Sequence, residues 1–153
     1  LQRLNTEQKP LLAQKNIAQE AISIIAPQMF EVRSIADVKA EIFGPVLQVV
    51  RYSGDPALVI EQINALGYGL TLGIQTRIDS RATALANAAH IGNVYINRNT
   101  IGAVVGVQPF GGEGLSGTGP KAGGPHYLLR FCAEQTVTVN TTAAGGNAAL
   151  LAG

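Results

Sequence analysis

The sequence predicts an α/β fold built on a parallel βαβαβ open sheet. Three observations support this prediction. Apolar strand-like segments alternate with helical segments between residues 45 and 97, the connections between them are short, and a glycine-rich stretch follows the last strand. Alternating strands and helices pair their strands in parallel through right-handed crossovers. Ligands then bind beyond the carboxyl ends of the strands, which is where the glycine-rich stretch begins.

The first two elements are predicted from apolar patterning. Residues 6–25 show a partly periodic apolar side and predict a helix, which Pro27 stops. Residues 45–52 predict a buried strand, because Val46, Leu47, Val49 and Val50 form a nearly continuous apolar run.

Turn and cap residues define the next elements. Asp55 and Pro56 predict a helix N-cap followed by proline at the first helical position, and Gly67 ends that helix. The later elements are a strand over 70–76, a helix over 79–90 capped by Asp79, a strand over 93–97, a helical turn over 126–131 and a short strand over 136–140.

The composition is that of a chain with a substantial apolar core. The chain has 153 residues, of which 46% are apolar and 14% charged, and its net charge is +1. This balance argues against disorder, and the absence of a basic stripe argues against nucleic-acid binding. The apolar runs are too interrupted for a transmembrane segment. One cysteine makes no internal disulfide, which fits a reducing, cytoplasmic location.

The low share of charged residues also predicts a covered surface. An independent domain of this size usually has about a quarter of its residues charged. The deficit, together with a start at Leu1, predicts a fragment that packs against the remainder of its own polypeptide or another chain.

Seven of the fourteen residues from Gly111 to Gly124 are glycine. Residues 112–117 satisfy G-x-G-x-x-G, but the proline- and glycine-rich residues that follow cannot form the helix that a dinucleotide fingerprint requires. A phosphate loop also fails, because Pro120 occupies its lysine position. Bare N–H groups in such a loop suit an anion such as a carboxylate. The alternative is a tight structural connection without a ligand.

The residues that most often carry catalysis are few. His90, His126 and Cys132 lack metal-ligand spacing, so no metal site is predicted. A Ser116–His126 pairing lacks the strand-to-helix elbow of a serine nucleophile. Cys132 lies among apolar neighbours, which predicts a buried, inert thiol.

A second informative segment surrounds Glu41 and Phe43. A carboxylate immediately before a strand offers two acceptor oxygens to a pair of sugar hydroxyls, and Phe43 can pack on a flat ring. Taken alone, the segment is better explained by an exposed glutamate at the start of a strand.

Four segments together resemble the C-terminal half of the catalytic domain of aldehyde dehydrogenases. They are EIFGPV at 41–46, YGLTLGIQT at 68–76, GNVYIN at 92–97 and QPFGG at 108–112. The run SGTGPKAGGPHYLLRF at 116–131 resembles the pyrroline-5-carboxylate dehydrogenase branch, which oxidises glutamate semialdehyde to glutamate. The ending at 140–148 resembles bifunctional members that carry an FAD-containing proline dehydrogenase on the same chain.

The resemblance implies specific site residues. Glu41, Phe43 and Leu70 are expected to bind NAD through its nicotinamide ribose and ring. The Gly123 and Gly124 amides are expected to hold the substrate carboxylate, with Phe131 against the substrate's aliphatic stem. The implied division is a helical lead-in over 1–26, part of the catalytic domain over 27–134, and an oligomerisation strand and tail over 135–153, in a homo-oligomer.

The resemblance also shows what the chain lacks. The chemistry needs a cysteine thiolate nucleophile and a general base, and the family segments that carry them lie upstream of these residues. Cys132 does not match the family's nucleophile segment. The isolated chain is therefore expected to be inactive. Two alternatives stay open, namely a non-catalytic assembly module and a dehydrogenase for another acid semialdehyde.

Overall fold

The computed structural model describes residues 1–13, 18–19, 22–23, 25–140 and 143. It begins with helix α1 (Gln2–Glu7) and strand β1 (Lys9–Ala13), followed by the short antiparallel pair β2 (Ala18–Gln19) and β3 (Ile22–Ser23). The predicted helix over 6–25 is therefore wrong. Pro10 lies in β1, which is tolerated because β1 is an edge strand that pairs with only one neighbour.

The first sheet has three strands in the order β1, β4 (Gln28–Val32), β5 (Val46–Val50). β1 pairs antiparallel with β4, and β4 pairs parallel with β5. The Glu31 carboxylate of β4 accepts hydrogen bonds from Lys9 Nζ of β1 at 3.4 Å and from Nε of Arg51, the residue after β5, at 2.8 Å. Phe30 and Val32 on β4 are fully buried and form the centre of this layer.

Helix α2 (Pro56–Ala65) begins as predicted. The Asp55 carboxylate accepts a hydrogen bond from Ala57 N–H at 2.9 Å, and Pro56 occupies the first turn, where its missing N–H costs nothing. Gly67 follows the helix at φ +76°, in the left-handed region that glycine adopts easily. Helix α2 leads into strand β6 (Tyr68–Gly69) and strand β7 (Thr71–Ile74).

Helix α3 (Asp79–Ala88) connects β7 to strand β8 (Asn93–Ile96), and the two strands pair in parallel as predicted. Asp79 is the first residue of the helix and not its cap. The cap position is Ile78, whose N–H donates to Thr76 Oγ1 at 3.2 Å. The core of this unit consists of Ile60, Ile74 and Leu85, with Ala57, Ile63, Leu72, Ala86, Ala89 and Val94 packed against them.

The predicted single βαβαβ sheet is not formed by the described residues. β5 lies at the edge of the first sheet, β7 and β8 form their own pair, and β6 pairs antiparallel with strand β9 (Glu113–Gly114). The reason is that alternation of strands and helices predicts parallel connections without specifying which strands are neighbours. The observed class is α/β with mixed sheets.

The C-terminal part contains the 3₁₀ turn Tyr127–Phe131, which agrees with the predicted helical turn. Residues 133–140 form no strand within the described part of the chain, and all of them are exposed. The predicted strand over 136–140 is therefore not part of any sheet formed by the described residues. Most of the run at 140–148 lies outside the described residues. Within the described ranges, no helix has the length and apolar character needed to cross a membrane.

Candidate functional site

A cavity of about 300 Å³ lies between the segment before β5 and the segment around β6. Glu41 and Leu70, two residues expected to bind the cofactor, line it together with Ser116. Its other lining residues are Val38, Ala40, Leu66 and Tyr68. The third expected residue, Phe43, is 92% exposed and does not line this cavity. The fold thus brings a carboxylate, a hydroxyl and an apolar side chain together from three distant parts of the sequence.

Ser116 has a role that the sequence did not reveal. Its Oγ accepts a hydrogen bond from Gly69 N–H at 3.1 Å, which joins the glycine-rich stretch to the residue before Leu70. This contact spans 47 residues of sequence, so no local motif signals it. The hydrogen bond of the Ser116 side chain within the described residues is the one with Gly69, and none joins Ser116 to His126, so the serine–histidine pair considered above is not formed.

The first half of the glycine stretch is closely packed backbone. A Cβ at Gly92 would lie 2.6 Å from Gly112 Cα, and a Cβ at Gly112 would lie 2.8 Å from Leu70 Cα. Gly117 in turn leaves no space for a Cβ beside the Gly112 carbonyl. These glycines are required because main-chain segments meet directly. For residues 111–117, the interpretation as a tight structural connection accounts for the glycines.

The second half, residues 119–124, is organised differently. Phe110 and Ala122 exchange two backbone hydrogen bonds, of 3.0 and 2.7 Å, and Gly106 N–H donates to the Gly123 carbonyl at 2.9 Å. Gly124 N–H donates to the Lys121 carbonyl at 3.0 Å, which closes a turn. Among the described residues, Gly123 N–H has no hydrogen-bond acceptor. Of the two amides expected to hold a carboxylate, one is unpaired and the other already serves the turn.

A second cavity of about 350 Å³ lies beside this turn. Its lining includes Gly124, Lys121 and His126. Tyr127 N–H donates to the Gly124 carbonyl at 3.2 Å, which connects the turn to the 3₁₀ segment that carries Phe131. The substrate-site residues expected from the sequence therefore lie on one continuous segment, apart from the cavity of Glu41 and Leu70.

The aromatic end of that segment is open. Phe131 is 73% exposed and meets Tyr127 edge to face, with ring centroids 5.6 Å apart. The prediction of a buried Cys132 is wrong, because the thiol is exposed and its Sγ lies 3.5 Å from the Leu128 carbonyl oxygen. Apolar sequence neighbours misled here, since Leu128, Leu129 and Phe131 are themselves exposed.

Comparison with known proteins identifies the class to which this fold and site belong. The model of the aldehyde dehydrogenase family matches residues 7–137, and the chain belongs to that family.

Within the family, the chain is similar to the bifunctional protein PutA. It is 60% identical over 115 residues to PutA of Escherichia coli, covering 74% of this chain and 9% of the relative. It is 42% identical over 106 residues to the human mitochondrial delta-1-pyrroline-5-carboxylate dehydrogenase, covering 65% of this chain and 18% of the relative. The chain thus spans about a tenth of the length of the PutA relatives it matches.

Solved structures agree with the sequence comparison. A structure of proline utilization A with proline bound in remote sites matches with a TM-score of 0.82 and 52% identity, over 93% of this chain and 14% of that one. The 1-pyrroline-5-carboxylate dehydrogenase from Thermus with bound NAD matches with a TM-score of 0.74 and 40% identity, over 83% of this chain and 25% of that one.

Proposed function

We propose that the chain forms part of an NAD-dependent dehydrogenase that oxidises L-glutamate γ-semialdehyde to L-glutamate in proline catabolism. The observation that carries the proposal is the placement of the glycine-rich stretch. Its first half supplies Ser116 to the cavity of Glu41 and Leu70, and its second half presents the unpaired amide of Gly123. One segment therefore serves a cofactor site and an anion site. The similarity to pyrroline-5-carboxylate dehydrogenases supports the same assignment.

The residues around the first cavity fit NAD. Glu41 provides two carboxylate oxygens that accept hydrogen bonds from the ribose hydroxyls, and Leu70 provides an apolar wall for the nicotinamide. Phe43, whose ring is exposed, packs near the nicotinamide in this proposal. When bound, NAD supplies the hydride acceptor for aldehyde oxidation.

The substrate's α-carboxylate is held at the turn. Gly123 N–H is available as a donor, and Gly124 N–H reaches a carboxylate when it shares or releases its bond to Lys121. Hydrogen bonds to a charged group contribute about 1.5–3 kcal/mol each. Phe131 packs on the aliphatic stem of the substrate, and its exposed ring is free for that contact.

The rest of the catalytic machinery belongs to the remainder of the polypeptide. The nucleophilic cysteine and the general base are assigned outside this chain, so the isolated chain has no dehydrogenase activity in this proposal. Where the full-length polypeptide is bifunctional, it also carries an FAD-containing proline dehydrogenase half. Assembly is as a homo-oligomer.

The test compares two aldehydes in the full-length enzyme. Glutamate semialdehyde and an aliphatic aldehyde of equal length without the carboxylate are assayed with NAD, in wild type and in Gly124→Ala. A Cβ at Gly124 would lie 3.0 Å from the Lys121 carbonyl oxygen and 3.3 Å from Pro109 Cβ, so the turn must shift. We expect kcat/KM for glutamate semialdehyde to fall about 10- to 100-fold, and kcat/KM for the neutral aldehyde to fall much less.

Gly44→Ala is the matched control, because no atom lies within 4 Å of its added Cβ. Any effect of Gly44→Ala on NAD binding cancels in the ratio of kcat/KM for the two aldehydes. This ratio should equal that of wild type. Equal losses for both aldehydes in Gly124→Ala would contradict the carboxylate anchor. A wild-type preference for another acid semialdehyde would replace the assigned substrate, and absence of any NAD-linked oxidation would favour a non-catalytic module.

A further inference from the structure

We infer that Lys121 is the residue that positions the carboxylate-binding turn, by attaching it to Asn93, the first residue of β8, and to Gly92 before it. The Lys121 ammonium donates to the Gly92 carbonyl oxygen at 2.6 Å and to Asn93 Oδ1 at 2.7 Å. These contacts cross 29 and 28 residues of sequence, and the side chain is partly buried. The inference rests on the proposed function, since it assigns a purpose to the same turn.

Asn93 extends the connection to the other arm of the loop. Its Nδ2 donates to the Pro109 carbonyl at 3.2 Å, while its Oδ1 accepts from Lys121. Pro109 and Lys121 flank the residues Phe110 and Ala122, which exchange two backbone hydrogen bonds. One asparagine therefore holds both arms of the loop against the start of β8.

The chemistry of the contact explains why a lysine suits this position. Its flexible stem carries a compact ammonium with three donors, and two of them are used on neutral oxygens. In the part of the chain that the structure describes, no carboxylate lies within 4 Å of this ammonium. The positive charge is therefore not neutralised by an ion pair, and charge-assisted hydrogen bonds strengthen the attachment.

The attachment acts on the amides through the backbone of Lys121 itself. The Lys121 carbonyl accepts the Gly124 N–H bond that closes the turn. When the side chain is fixed on β8, this carbonyl is fixed as well, and with it the direction of the Gly123 and Gly124 amides. Lys121 is thus a positioning residue for the acid end of the substrate.

The kinetic test uses the full-length enzyme and replaces the ammonium without shortening the stem. In Lys121→Met we expect KM for glutamate semialdehyde to rise about 10-fold, because misdirected amides lose a hydrogen bond to a charged group. We expect kcat, and KM for NAD and for a neutral aldehyde, to stay within about twofold. Lys121→Arg keeps the donors and should recover part of the loss. Lys9→Met is the matched control, since it removes only an exposed contact to Glu31.

A double-mutant cycle tests the partner. The effects of Lys121→Met and Asn93→Ala on KM for glutamate semialdehyde should be clearly less than additive in the double mutant. The reason is that both substitutions remove the same attachment. Full additivity, an unchanged KM in Lys121→Met, or equal losses for the acid and neutral aldehydes would each overturn the inference.

Amide hydrogen exchange separates this inference from the proposed function. The Ala122 and Gly124 amides should exchange at least about 10-fold faster in Lys121→Met than in wild type and Lys9→Met. Unchanged exchange would overturn the role of Lys121 whatever the substrate is. Wild type could show no preference for the acid aldehyde while amide exchange in Lys121→Met accelerates as expected. That result would support the positioning role of Lys121 and contradict the substrate assignment.

Discussion

Gly112 lies so close to Gly69 that it has no room for a side chain. A Cβ at Gly112 would meet the Gly69 carbonyl oxygen and lie 2.8 Å from Leu70 Cα, and a Cβ at Gly69 would meet the His90 carbonyl oxygen. The contact joins the glycine-rich stretch to β6 just before Leu70, which lines the cavity of Glu41. We therefore expect packing at this point to affect both the stability of the protein and the proposed cofactor site.

Gly112→Ala is expected to destabilise the full-length protein by roughly 1–3 kcal/mol, because the added methyl group overpacks a backbone contact. It should also raise KM for NAD, since Leu70 must move. Urea unfolding and NAD kinetics measure the two effects. Gly44→Ala, which adds the same methyl group in open space, should leave the unfolding midpoint unchanged. An unchanged midpoint in Gly112→Ala would mean that the backbone relaxes freely here.

Glu41→Gln is expected to weaken NAD binding about 10-fold, since the neutral amide replaces one acceptor oxygen by a donor and loses the charge. KM for glutamate semialdehyde should change little, because the turn proposed to bind its carboxylate lies on another segment. Isothermal calorimetry with NAD measures the effect in the full-length protein. Glu61→Gln, on the exposed side of α2, is the control. Equal NAD affinity in Glu41→Gln and wild type would remove Glu41 from the cofactor site.

The Arg51 side chain, which donates a hydrogen bond to Glu31, holds the pKa of that carboxyl below its usual range, with a smaller contribution from Lys9. Because the pKa is lowered in the folded state, the stabilisation is present above the unfolded-state pKa and is lost as pH falls through the folded-state value. Arg51→Gln should raise the pKa of Glu31, and Lys9→Gln should raise it less. Carboxyl-carbon NMR titration measures both. A larger rise in Lys9→Gln than in Arg51→Gln would contradict the stronger role of Arg51.

Val137 and Val139 are 74% and 67% exposed, in a segment that is not assigned as a strand among the described residues. We predict that this segment pairs with a neighbouring subunit of the full-length enzyme and buries these two valines. The double change Val137→Lys and Val139→Lys should raise the dissociation constant of the oligomer at least about 10-fold. Thr138→Lys, between them, should have a smaller effect. Sedimentation analysis that finds the same assembly for all variants would contradict the prediction.

Elements defined by neighbouring residues were predicted well from the sequence. The Asp55 cap, the proline after it and Gly67 bound α2 as expected, because caps and turns depend on adjacent residues. Strand β1 was predicted as helix, since its state is set by pairing with β4, about twenty residues away. Local periodicity contains no information about that partner.

The same limit applies to the candidate site. Glu41 and Leu70 were expected to share a site through family resemblance, and the structure places both at one cavity. The attachment of Lys121 to Asn93 was not anticipated, because nothing next to either residue indicates the other. Exposure of Cys132 was missed for a related reason, since apolar neighbours in sequence are not necessarily neighbours in a core.

The division of the glycine-rich stretch has an evolutionary consequence. Gly112 and Gly114 are constrained by main-chain contacts with Gly69 and Gly67, so a side chain at either position would disturb the backbone next to the proposed cofactor cavity. Residues 119–124 are instead attached through one lysine side chain and a few turn hydrogen bonds. On the proposed function, we therefore expect substitutions in this second half to alter which aldehyde is accepted while NAD use is preserved. Laboratory selection for activity on new acid or neutral aldehydes should therefore vary residues 119–124 and leave 111–117 unchanged.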